Sequence, residues 1–474
     1  MLFCSQTFLF FFVFVFTLYW AMPWQRARVW LLLCASFFFY ACWNEWLALL
    51  VGVSTFIDYW LARGMDAWTK PAARRALLLF SVIGNLTLLG YFKYVNFFIE
   101  SLQASLNAVG ASVSFPLLEV LLPIGISFYT FEAINYTVDV YRRKVRAERE
   151  LGHFMLFITF FPHLVAGPIV RARDFLPQIH RPKQWNWARL QLGVGMFLMG
   201  LFKKLAIADR MAVLADPVFA APDSFRTHTV WLAAFAYAVQ VYCDFSGYTD
   251  MAIGLAHMFG YKLAPNFNMP FLSANISEFW RRWHISLSSW LRDYLFIPLG
   301  GSRDREWRTA RNLLITMTLA GLWHGANWNF VVFGAIQGML LIGHRWFRAL
   351  ASHLPRLDWA LNTRFGTAAC VVLTFVTFCC TLVVFRATSL TLGGQMLQRM
   401  FVLEDGLRTP VPSVGLAATF AVVALCHWLG RYNWLRITSM RAPWQTVAVG
   451  YCTIFMAALI LAPRSGQAFI YFQF

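Results

Sequence analysis

The chain has 474 residues, of which 59% are hydrophobic, 18% aromatic and only 13% charged. That leaves too little polar surface for a water-soluble fold, and the composition is that of a polytopic protein embedded in the lipid bilayer. The formal net charge of +18 does not point to nucleic acid, because Lys and Arg fall mainly in short segments between apolar runs, as in cytoplasmic loops.

Residues 1–22 form a phenylalanine-rich run with no basic start and no small-residue cleavage site, so they are expected to stay as the first span. Arg26 and Arg28 follow, then apolar runs at 29–43 and 46–62 on either side of the polar pair Asn44 and Glu45. A basic stretch at 63–75, a run at 76–99, a milder segment to Ser114 and a run at 115–141 lead into Arg142, Arg143, Lys144 and Arg146. Placing the three basic segments on the cytoplasmic side puts the N-terminus outside, and the alternation then holds through all of these spans. Further runs lie at 154–170, 190–208 and 229–258, some of them expected to be re-entrant or interfacial, and then at 313–323, 330–346, 367–385, 414–429 and 447–462. At about 20 residues per span the sum is roughly eleven to thirteen transmembrane helices, an all-α polytopic fold. No internal repeat is evident, which favours an enzyme over a secondary transporter. The nine cysteines include Cys34, Cys42, Cys370, Cys379, Cys380 and Cys452 within apolar runs, where they read as small packing residues.

Three polar features interrupt this pattern. Asp244 and Asp250 stand in an otherwise apolar region, where they either brace helices or form the polar wall of a substrate tunnel. In residues 275–296, Asn275 followed three positions later by Glu278 looks like a capping box, so a helix should start near Ile276. On a continuous helix Trp280, Trp283, His284, Leu287, Trp290, Leu291 and Tyr294 would share one aromatic face, with Arg281, Arg282 and Arg292 largely elsewhere, toward water or an anionic ligand. The third feature is His324, flanked by Gly321 and Gly325 in the run 316–330. An ionisable group at membrane depth is a functional-site candidate, against the alternative of a hydrogen-bonded packing histidine. A metal centre fits His284 and His324 poorly, since neither a close His-x-x-x-His pair nor a clustered third ligand accompanies them.

The stretches LPIGISFYTF at 122–131, NFNMPF at 266–271, SEFWRRWH at 277–284 and LWHG at 322–325 closely resemble the membrane-bound O-acyltransferase family, nearest to its alginate O-acetylation branch. The likeness extends to the closing FIYFQF at 469–474. The resemblance implies one membrane-embedded domain over 1–474, with N-terminal spans at 1–150, a catalytic core at 151–346 and C-terminal spans at 347–474. It implies helices around a tunnel, a location in the bacterial inner membrane, and an acetyl-CoA or acyl carrier thioester donor entering from the cytoplasm, with no permanently bound cofactor. His324 matches the family's near-invariant histidine and His284 the second, upstream polar position. Periplasmic acetyltransferase partner proteins usually complete transfer to an exported polysaccharide acceptor in this branch. Peptidoglycan, cellulose and D-alanylated teichoic acid are the rival acceptors, and a non-catalytic transporter of acyl groups is the rival function.

The chemistry suits these residues. Transfer from a thioester to an alcohol needs the hydroxyl proton removed during attack, and imidazole, with an ordinary pKa of about 6.5, accepts it near neutral pH. His284, Asn327, Trp323 or a backbone amide near Gly325 are the candidate donors to the tetrahedral oxyanion. Trp280, Arg281, Arg282, Trp283 and Asp244 complete the expected substrate contacts. No Gly-x-Ser-x-Gly elbow precedes the histidine, which argues against a serine triad.

Overall fold

The computed structural model describes residues 1–303, 305–430, 442–463 and 469. Regular structure among them is helical apart from one isolated parallel bridge between Phe225 and Leu407. Seven of these helices are long and apolar enough to cross a membrane: Glu45–Ala67, Pro71–Ala108, Trp187–Ala220, Trp328–Ala351, Arg364–Arg386, Ser413–Gly430 and Trp444–Leu461. The polytopic all-α class therefore holds, while several expected spans take other forms. Pro162 falls where the 154–170 run divides into the short helices Leu151–Thr159 and Phe161–Leu164, and the first part of 115–141 is irregular up to the helix Ile126–Tyr141. The N-terminal helices Gln6–Ala21 and Gln25–Ala41 have 16 and 17 residues, short for a perpendicular crossing.

The chain divides into two compact units, residues Met1–Phe197 with Thr249–Ala264, and Leu198–Tyr248 with Pro265–Phe474. In the first, Phe8, Phe11, Phe39, Phe161 and Phe259 form a continuous aromatic cluster, and buried Tyr19 donates its hydroxyl to the Phe259 carbonyl at 3.0 Å. Buried Asp58 ties the helix Glu45–Ala67 to Pro71–Leu89 by accepting from Ser81 Oγ (2.6 Å) and Asn85 Nδ2 (2.8 Å).

In the second unit, the helices Glu306–His324 and Trp328–Ala351 form a hairpin whose backbones nearly touch. A Cβ on Gly321 would collide with the Phe330 carbonyl oxygen, and one on Gly334 with that of Met317. Small residues at both positions are thus what lets the two helices approach, as in membrane helix pairs generally. Lys204, in the π-helical segment Lys203–Ala208, places its Nζ 2.8 Å from both Asp209 Oδ1 and Asp244 Oδ1. All three side chains are buried, so one lysine holds two carboxylates inside the protein.

Candidate active site

His324 is the last residue of its helix and is 6% exposed. The chain turns at once through Gly325, where a Cβ would strike the Phe330 ring, and Asn327 then caps the next helix by accepting from the Asn329 backbone N–H at 2.9 Å. Asn329 Nδ2 donates to the Ala387 carbonyl at 2.6 Å, which fixes this turn to the end of Arg364–Arg386. The His324 ring lies edge to face with Phe385, centroids 5.3 Å apart, and Phe385 is held in turn by Phe330 and Phe333. The turn that presents His324 is therefore anchored on both sides.

The expected continuous helix over 275–296 is corrected by the structure. Asn275 does cap it, its Oδ1 accepting from Glu278 N at 2.9 Å, but the helix Ile276–Arg282 ends at Trp283. A second helix, Ile285–Leu291, starts after His284, whose φ of 44° is left-handed. The break is made from outside the segment. Ile285 N donates to the Asn266 carbonyl and Asn268 N to the Arg282 carbonyl, both at 2.9 Å, so residues 266–268 capture backbone groups that a continuous helix would use internally. His284 thus sits at a kink instead of within an aromatic stripe.

The kink buries the His284 ring completely, 0% exposed, against Phe245 with centroids 4.7 Å apart. Trp323, 4% exposed, touches both histidines: its ring centroid is 5.9 Å from that of His284 and 5.1 Å from that of His324. Two imidazoles 40 positions apart in sequence are brought around one indole in an apolar, water-poor setting. Such a site can move a proton and stabilise charge without exposing a thioester to water.

The other expected contacts divide. Trp280 donates its indole N–H to Gln337 Oε1 at 3.2 Å, and Gln337 donates to Thr381 Oγ1 at 2.8 Å. Trp283 is buried among Phe267, Phe279 and Phe378 as a packing ring. Arg282 pairs with Glu278 at 2.7 Å, and exposed Arg292 with its neighbour Asp293 at 2.8 Å. Arg281 is exposed and lines a cavity of about 980 Å³ with Asn275, Ser277, His344, Arg345 and Arg348. There Arg345 pairs with Glu306 and Arg348 with Asp358, while Arg281 makes no ion pair among the described residues. Asp244 is engaged by Lys204, and its chain neighbour Phe245 is the residue against His284. Asp250 falls in the other unit, and of the closing 469–474 motif only Phe469 lies within the described residues, stacked on Tyr248 with centroids 4.6 Å apart.

The sequence model of the membrane-bound O-acyltransferase family matches residues 3–385. The chain belongs to this family. The probable alginate O-acetylase AlgI of Pseudomonas putida is 40% identical over 504 residues, covering 100% of both chains. The probable alginate O-acetylase AlgI of Pseudomonas syringae pv. tomato is 44% identical over 410 residues, covering 85% of this chain and 76% of its own. The peptidoglycan O-acetyltransferase of Helicobacter pylori is 39% identical over 377 residues, covering 73% and 70%. The protein is accordingly a multi-pass membrane-bound O-acyltransferase, and an acyl donor is its substrate class.

Two functional-site neighbours escaped the sequence reading. Lys204 was hidden in an apolar run, and Asn266 lay in a motif noticed only for its likeness to the family. Glu148, His153 and His180 were also passed over; their ligand-type atoms lie within 4.8 Å of one another. His180 Nε2 and Glu148 Oε2 are 2.8 Å apart, within hydrogen-bond reach of each other.

Proposed function

We propose that this O-acyltransferase takes acetyl groups from a cytoplasmic thioester, acetyl-CoA or an acetylated carrier protein, and passes them toward hydroxyls of an exported, alginate-like polysaccharide. The observation that supports it most is the buried grouping of His284, Trp323 and His324 in a chain 40% identical to a probable alginate O-acetylase along its whole length. His324 serves as the general base: its ring takes the hydroxyl proton as the oxygen attacks the thioester carbonyl, and returns a proton to the departing thiolate as the tetrahedral oxyanion collapses. His284 supports the same centre. Periplasmic acetyltransferase partners complete delivery to the polymer, and residues 1–474 act as one membrane-embedded domain. Trp280, Arg281, Trp323 and Asn327 are the substrate contacts, while Arg282, Trp283 and Asp244, already engaged within the protein, act by holding the site's frame.

Arg281 is assigned to the donor's phosphates. Its guanidinium fork suits phosphate, and among the described residues it is the arginine of its cavity that pairs with no carboxylate. Purified protein in nanodiscs with radiolabelled acetyl-CoA should release label from the thioester. Arg281→Ala should raise the apparent KM for the donor by about tenfold, the size of one charged hydrogen bond, with kcat near normal and a weaker salt dependence. Wild-type KM and salt dependence in that variant would move the donor site elsewhere.

The same reading places the N-terminus and residues 100–114 outside the inner membrane and the basic segments 63–75 and 142–149 in the cytoplasm. A single cysteine at position 70 should resist labelling by a membrane-impermeant thiol reagent in intact spheroplasts and react after lysis. Labelling from outside would overturn the orientation.

A further inference from the structure

Asn266 is 1% exposed and makes four hydrogen-bonding contacts across the kink. Its carbonyl accepts from Ile285 N at 2.9 Å. Its side-chain Oδ1 accepts from Ser286 N at 3.1 Å and from Ser286 Oγ at 2.9 Å, and lies 3.1 Å from His284 Nδ1. A backbone N–H can only donate, so the amide atom facing Ser286 N must be the carbonyl oxygen. The orientation of the amide is thereby fixed by the main chain. The same oxygen faces His284 Nδ1, and an oxygen that can only accept requires Nδ1 to carry the hydrogen. In a neutral ring Nε2 is then the bare nitrogen, and this buried Nε2 has no hydrogen-bond partner among the described residues. Asn266 Nδ2 is also buried with no acceptor among the described residues.

We propose that Asn266 is a positioning residue that locks His284 in the Nδ1–H tautomer, so that Nε2 faces the reaction as a proton or hydrogen-bond acceptor. This rests on the reading of His284 as part of the acyl-transfer centre. It divides the labour at that centre. A neutral His284 has no hydrogen on Nε2 and cannot donate to the tetrahedral oxyanion, which leaves that task to the Trp323 indole N–H or a backbone amide near Gly325. What His284 can do is hold or receive a proton from an O–H or N–H brought against Nε2. An acetyl-accepting hydroxyl is a group of that kind.

The test separates tautomer from turnover. In bilayer-reconstituted protein with ¹⁵N-labelled histidine, solid-state NMR resonances of His284 are assigned by their loss in His284→Asn. At neutral pH the wild type should show a protonated, pyrrole-type Nδ1 and a bare, pyridine-type Nε2. Asn266→Leu, which keeps the bulk but removes the acceptor, should mix the two tautomers and lower kcat by about 10- to 100-fold, the scale seen for orienting partners of functional histidines, with the donor KM within about twofold. Asn266→Asp, which keeps an acceptor oxygen, should restore the Nδ1–H signal and most of the rate. A wild-type ring protonated at Nε2 overturns the proposal, as does an unmixed Nδ1–H signal in Asn266→Leu. If Asn266→Leu fails to fold, the wild-type spectrum and the Asn266→Asp variant decide it. Full activity in His284→Asn would instead overturn the placement of His284 in the centre, and the tautomer assignment would still stand or fall by the spectrum.

Discussion

His324→Ala should lower acyl transfer by about two to four orders of magnitude, the usual cost of losing a general base, while the protein still inserts and accumulates near normally. The expectation of normal folding comes from how the turn is held. The hairpin is set by the close approach at Gly321 and Gly334, and the loop by the Asn329 bond to Ala387, none of which involves the imidazole. The ring packs against Phe385, whose packing on Phe330 and Phe333 remains without it, and against Trp323, which His284 also contacts. Loss of label from acetyl-CoA, measured with donor saturating, reads the rate. An undiminished rate would remove His324 from the chemistry. Replacing His284 in the same background adds a second reading, because residues that act as a unit show losses that do not multiply. Strictly independent losses would assign His284 to packing alone.

Lys204→Met should destabilise the second unit strongly, by about 3–5 kcal/mol, because it removes a buried ammonium that contacts two buried carboxylates at once. The methionine matches the lysine in bulk, so packing loss contributes little. The measurement is the thermal midpoint of detergent-solubilised protein without donor, together with the amount reaching the membrane. Adding Asp209→Asn and Asp244→Asn to Lys204→Met should recover much of the loss, since the two carboxylates that faced the ammonium are then neutral. A single variant as stable as the wild type would show that the two carboxylates are satisfied without the lysine. Rescue by the triple variant, with activity returning alongside stability, would also confine Asp244 to bracing the frame behind Phe245 and His284.

The parts of this architecture legible in the sequence are those written in local patterns. Long apolar runs gave helices at 46–62, 330–346, 367–385 and 447–462, because length and hydropathy need no knowledge of neighbours. The Asn275 cap was legible for the same reason, donor and acceptor lying three residues apart. The kink at His284 was not. Apolar residues continue at steps of three and four across it, and what breaks the helix is Asn266 and Asn268, whose backbone groups arrive from about one helical hairpin away in the chain. Lys204 was illegible in the same sense, since a lysine in an apolar run looks like a boundary until Asp209 and Asp244 are seen around its ammonium. His324 stood out as the polar exception in its run, while its grouping with His284 around Trp323 belongs to the fold.

The left-handed backbone at His284 narrows what can ever occupy that position. Residues with a Cβ pay about 1–2 kcal/mol to adopt it, β-branched ones more, while Gly, Asn, Asp and His visit it most readily. Conformation therefore screens candidates before chemistry is consulted, and of the residues that pass, histidine alone carries a group that titrates near neutral pH. An alanine probe at 284 mixes two losses, the ring and the ease of the bend, whereas asparagine keeps the bend and removes only the imidazole. The bend thus weights this position toward Gly, Asn, Asp and His without closing it to others, since Arg143 and Met269 adopt the same left-handed region elsewhere in the chain.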